Sequence, residues 1–173
     1  LMLDWLAERH GDDRLAQALD YLSANEKWHQ FEDDLNRHLL RIYDLTGETV
    51  RLDSTTAQAY GEVSADGLWR FGHRKDHRPD LPQIKMSVST LDPLGLPLTA
   101  TIVSGDKADD PLYVPEIERV RATLQRRGLL YVGDSKMAAL ATRVHLAAGG
   151  DYYLCPLPAT QIPAAHLAEV VAP

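Results

Sequence analysis

Apolar residues recur at helical spacing through the first part of the chain: Leu15, Leu19 and Leu22, then Trp28, Phe31, Leu35, Leu39 and Ile42. Residues 1–44 contain no Pro and one Gly, Gly11, so little interrupts the periodicity. The pattern predicts a helical segment over residues 1–45, with a packing stripe opposite a solvated face that includes Glu32, Asp33 and Asp34. Consecutive acids point around a helix rather than toward one another, which argues against a metal cluster there.

At Thr46-Gly47, a turn signal, the period changes. Thr49 to Asp53 is a β-branched run with polar alternation, and it opens a second domain over residues 46–173. Residues 57–82 are rich in Gly, His, Arg and Asp and predict a long connection. Ile84, Met86 and Val88 then alternate with polar residues, Asp92-Pro93-Leu94-Gly95 turns the chain, and Leu96, Leu98, Ala100, Ile102 and Val103 complete an antiparallel hairpin. Asp109-Asp110-Pro111 starts a helix whose buried face is Val114, Ile117, Val120 and Leu124. Leu129 to Val132 is a short strand and Gly133-Asp134-Ser135 a sharp turn. Met137, Leu140, Ala141, Val144 and Ala148 form the face of another helix, closed by Gly149-Gly150. Tyr152 to Leu154 begins a fifth strand. The predicted class is α/β, a mixed sheet in the order strand, strand, strand, helix, strand, helix, strand, behind an N-terminal helical segment.

Composition narrows the function classes. With 173 residues the chain can bury a sizeable core. No apolar run approaches the roughly 20 residues of a membrane span, and the first ten residues do not read as a secretory signal, so the expected location is cytoplasmic. The formal charge is −7, of which −5 falls in residues 1–44. That balance argues against a surface that grips nucleic acid everywhere, yet a metal-dependent enzyme acting on polyanions needs carboxylates at its centre. The single cysteine, Cys155, excludes an internal disulfide and a multi-thiolate zinc site.

Two acids stand where chemistry concentrates in α/β sheets, at the carboxyl ends of strands: Asp53 ends the first strand and Asp134 follows the fourth. A pair of hard carboxylates there would hold Mg²⁺ or Mn²⁺. Spacing alone equally allows Asp134 to cap a helix and Asp53 to bond its own backbone in a turn. His73, Arg74, Lys75, His77 and Arg78 fall within six residues and could neutralise phosphates, or form a solvated loop. Asp106 could reach the site from its loop, and Trp69 could stack on a base.

The stretches Val50 to Thr56, His73 to Gln83 and Tyr131 to Ser135 resemble the bacterial insertion-sequence transposases that use an Asp-Asp-Glu triad, over roughly residues 45–157. The resemblance implies a ribonuclease-H-like core, with Asp53 and Asp134 as the first and second catalytic acids and as ligands of Mg²⁺ or Mn²⁺. It further implies double-stranded DNA as substrate and partner, gripped in part by the basic segment, a nucleoid-associated cytoplasmic location, and a homodimer as one assembly. In that family the third acid is a Glu within a Tyr, Arg, Glu, Lys signature. No such signature occurs here, and Glu169, the sole acid beyond Asp151, reads as a surface residue. The start at Leu1 and the helical pattern from His166 to Val171 are those expected of a catalytic-core fragment lacking the final Glu. Two alternatives remain at this point: a catalytically silent DNA-binding or dimerisation module of the same fold, and a ribonuclease-H-like nuclease that cuts without joining.

Overall fold

The computed structural model describes residues 2–60, 63–64, 66–72, 80–158, 161–162 and 166, without the side chains of residues 2–12 and 110. The chain divides into two compact units, Leu1–Leu45 and Thr46–Pro173. The first is a pair of helices, α1 (Met2–Ser23) and α2 (Asn25–Ile42). Its packing differs from the expected stripe. Leu15, Leu19, Phe31, Leu35 and Ile42 are exposed, whereas Glu32 and Asn36 of α2 are buried. Residues 32 and 36 lie one turn apart on a face distinct from the apolar stripe, so helical periodicity found the helix but selected the wrong inner face.

The second unit contains β1 (Thr49–Gln58), β2 (Gln83–Leu91), β3 (Leu96–Ser104), α3 (Tyr113–Leu124), β4 (Leu130–Val132), α4 (Leu140–Ala148) and β5 (Tyr152–Leu154). A short 3-10 turn, Asp110–Leu112, leads into α3. The five strands form one mixed sheet in the order β3-β2-β1-β4-β5. β1, β2 and β3 are antiparallel neighbours, while β4 pairs in parallel with β1 and β5 in parallel with β4. This is the ribonuclease-H-like arrangement, reached by the predicted order of elements. Two successive right-handed crossovers in the same direction put α3 and α4 on one face of the sheet. Consistent with this, Arg121 of α3 meets His145 of α4 at 2.9 Å.

Beneath the helices lie Val50, Leu52, Leu98, Ile117, Val120, Leu129, Tyr131 and Leu146, all buried. The covered face also carries a polar stripe, Ser87, Ser89 and Thr99, and this changes the inner face of α3. Buried Glu116 accepts hydrogen bonds from Thr99 and from Thr101, the latter at 2.8 Å. A buried carboxylate is tolerable when its lone pairs are engaged in this way. Val114 and Leu124, expected inside, are half-buried, while Tyr113 and Glu116 are buried. In α4 the inner residues are Thr142 and Leu146 rather than Leu140 and Val144, which are exposed. The reason is that Met137 and Ala138 are buried in the turn before α4, so the helix starts three residues later and presents another side.

Tyr131 carries one energetic debt: its hydroxyl is buried without a hydrogen-bond partner among the described residues. An unsatisfied buried hydroxyl costs about 1–3 kcal/mol. Tyr131→Phe keeps the ring and removes that cost, so the variant should be more stable by about 1 kcal/mol in urea unfolding. A less stable variant would show that the hydroxyl has a partner.

Candidate metal centre

The site is set by the register of β1 against β4. Thr49 pairs with Leu130, Val50 with Tyr131 and Arg51 with Val132. Asp53 lies two residues beyond Arg51 on β1, and Asp134 two residues beyond Val132 in the turn after β4. Pairing with β4 stops at Arg51, because β4 gives way to a turn whose first residue must be Gly. A Cβ on Gly133 would lie 2.7 Å from the Sδ of Met137, which is itself fully buried. The absence of a side chain therefore lets the chain fold back and brings Asp134 out at the rim.

Asp53 was expected to end its strand. It lies instead in mid-strand: β1 continues to Gln58, paired with β2 as far as Gln83. Val50 and Leu52 of β1 are buried, whereas Asp53 is exposed on the opposite side of the strand. Its Oδ1 accepts the backbone N–H of Ser54 at 2.8 Å. Asp134 is half-buried, and its Oδ1 accepts two bonds, from the Tyr113 hydroxyl at 2.8 Å and from the Lys136 backbone N–H at 2.9 Å. The helix-cap alternative for Asp134 is not what the structure contains: α4 begins at Leu140 with Ala139 at its cap. Asp134 closes the preceding turn instead.

Tyr113, in the first turn of α3, connects the two acids electrostatically. Burial pushes its phenol well above the ordinary range, and the hydrogen bond and charge of Asp134 push further in the same direction. Ser54 hydrogen-bonds the same phenol and opposes the rise, while the charge of Asp53 adds to it. A phenol so held stays protonated at neutral pH and acts as a donor. Lys85, nearly buried on β2, pairs with Asp109 at 2.6 Å, and Lys136 reaches the other oxygen of Asp109 at 3.9 Å. Asp109 thus pairs with lysine rather than capping the helix start.

The remaining sequence candidates fall elsewhere. Asp106 accepts a bond from Ser104 in its own turn, which holds its carboxyl below the usual range. Cys155 is half-buried, and burial pushes its thiol up, away from nucleophilic use. His73, Arg74, Lys75, His77 and Arg78 lie outside the described residues. The segment is entered at Gly72, where a Cβ would be 2.1 Å from the Gly105 carbonyl oxygen, at the β2–β3 margin. Sequence reading missed Tyr113, Lys85 and Lys136. A signal for Tyr113 was present, since 113, 117, 120 and 124 form a helical stripe as regular as the one starting at Val114.

Among the described residues no group of three or more His, Cys, Asp or Glu side chains is arranged to hold a metal. Asp53 is exposed, and the Oδ2 of Asp134 lies outside both of the hydrogen bonds on that carboxylate; carboxylate oxygens are the hard ligands that Mg²⁺ and Mn²⁺ take.

No family model and no curated protein sequence matches the chain. Solved structures are similar to it. A piggyBac transposase synaptic complex with hairpin DNA is 11% identical over 70% of this chain, with a TM-score of 0.47. The Mos1 mariner paired-end complex with Mn is 14% identical over 76%, with a TM-score of 0.41. The catalytic domain of Mos1 mariner transposase is 14% identical over 86%, with a TM-score of 0.40. The matched regions span 26%, 43% and 74% of those chains.

Proposed function

We propose that this chain is the ribonuclease-H-like core of an insertion-sequence DNA transposase, in which Asp53 and Asp134 hold Mg²⁺ or Mn²⁺. What supports the reading is that β1 and β4 are parallel neighbours, with Asp53 and Asp134 each two residues beyond their last paired position, Arg51 with Val132. Both acids also belong to the motifs that resemble the family. When bound, the cation polarises a phosphodiester and acidifies a coordinated water. The chain's own part is positioning. Asp53, open to solvent, binds from the strand; Asp134, held by Tyr113 and the Lys136 amide, binds from the turn. The Lys136 ammonium and the basic side chains of His73, Arg74, Lys75, His77 and Arg78 supply charge that neutralises phosphates of double-stranded DNA.

The family's third acid, a Glu in its Tyr, Arg, Glu, Lys signature, has no counterpart in these 173 residues. Phosphoryl transfer of this kind depends on placement and charge, so two ligands out of three should leave binding without efficient joining. The test is incubation of the chain with Mn²⁺ and DNA carrying element ends, scoring nicking and strand joining separately. The expected result is measurable Mn²⁺ binding and no joining. Robust joining would overturn the two-carboxylate reading. A second reading, a silent DNA-binding module, predicts DNA binding that is indifferent to Mn²⁺.

A further inference from the structure

The hydrogen bonds on Asp134 are unequal, and the inequality has a use. Both fall on Oδ1: one from a phenol carried by α3, the other from the amide two residues along the turn. Oδ2 takes neither. A carboxylate whose first oxygen is saturated by two donors can rotate little about its Cβ–Cγ bond, so the direction of its second oxygen is set before any cation arrives. The phenol that does this is itself immobile. Tyr113 is 2% exposed, in the first turn of α3. One buried side chain of a helix therefore holds the turn that bears Asp134.

We propose that Tyr113 is a positioning residue of the metal centre, which clamps Asp134 Oδ1 and so presents Oδ2 to a divalent cation beside Asp53. The inference rests on the carboxylate-pair reading above and extends it to a residue outside both acid motifs. Partners that orient a metal ligand typically contribute about 10- to 100-fold to affinity. A phenol suits the task because it is rigid, donates one bond and, being protonated, adds no charge to compete with the cation.

Tyr113→Phe retains the ring and deletes the donor. Mn²⁺ titration, followed by loss of the free-ion paramagnetic resonance signal, should show about 10- to 100-fold weaker binding, with far-ultraviolet circular dichroism unchanged. The double-variant cycle with Asp134→Asn separates positioning from general support. If Tyr113 acts through Asp134, adding Tyr113→Phe to Asp134→Asn weakens binding no further. Tyr113→Phe binding within about twofold of the unmodified chain, or effects that multiply in the double variant, would overturn the inference. Asp134→Asn binding as well as the unmodified chain, or an unmodified chain that takes up no Mn²⁺, would instead overturn the carboxylate-pair reading beneath it.

Discussion

Asp53→Asn should weaken Mn²⁺ binding by at least about 100-fold, more than any substitution outside the acid pair. The scale follows from a comparison: residues that merely orient a ligand contribute about 10- to 100-fold, so deleting the charge of the ligand itself should reach or exceed the upper end. The change is nearly isosteric, and Asp53 is exposed in mid-strand, so β1 should keep its pairing with β2 and its stability. In a protein that also carries the third acid, loss of a metal ligand removes several kcal/mol of charge stabilisation, equivalent to about a thousandfold in hydrolysis rate. Titration of Mn²⁺ against the unmodified and substituted chains checks the binding effect. Equal affinities would remove the metal-binding role of Asp53 and favour the silent module.

The largest effect on stability is expected at the other end of the same strands. Asp151, just before β5, is buried. Its Oδ1 accepts the backbone N–H groups of Gly128 at 2.7 Å and Leu129 at 3.0 Å. Its Oδ2 takes the Arg121 guanidinium through Nε at 2.8 Å and Nη2 at 2.7 Å. Burial works against the charge on Arg121, but the hydrogen bonds it donates to Asp151 and Glu118 outweigh it and raise the guanidinium above its ordinary value. One carboxylate thus joins α3, the entry to β4 and the entry to β5. Asp151→Ala leaves two amides without their acceptor and Arg121 with only Glu118 and His145, and should cost about 3 kcal/mol, seen as a lower urea midpoint. Asp151→Asn keeps an acceptor for the amides and should lose less. Because Asp151 sits at the amino ends of β4 and β5, away from Asp134, residual folded protein should bind Mn²⁺ normally. An Asp151→Ala variant as stable as the parent would show that the pair is not needed to join these elements.

These two carboxylates show why some of the site was legible and some was not. Asp134 follows a short apolar strand and a Gly, and that punctuation is local, so it can be read without coordinates. The same is true of the strand that bears Asp53. Asp151 has a similar local setting, and nothing in its neighbours reveals Arg121, thirty residues earlier, as its partner. Tyr113 was lost for a related reason. Its helix has two overlapping apolar stripes, and the sheet's Ser87, Ser89 and Thr99 decide between them by requiring an acceptor, Glu116, on the inner side. In α2, likewise, periodicity identified the helix but left its inner face open, and residues 32 and 36 are the buried ones.

The amino-acid sequence by itself determined the order of elements, because turn residues and changes of hydrophobic period act over a few positions. Tertiary structure alone decided which side of each helix faces inward, where β1 ends, and which donors saturate Asp134. Those outcomes depend on hydrogen bonds between segments 20 to 30 residues apart, such as Tyr113 with Asp134 and Arg121 with Asp151, and pairing over that distance leaves no periodic trace in either segment.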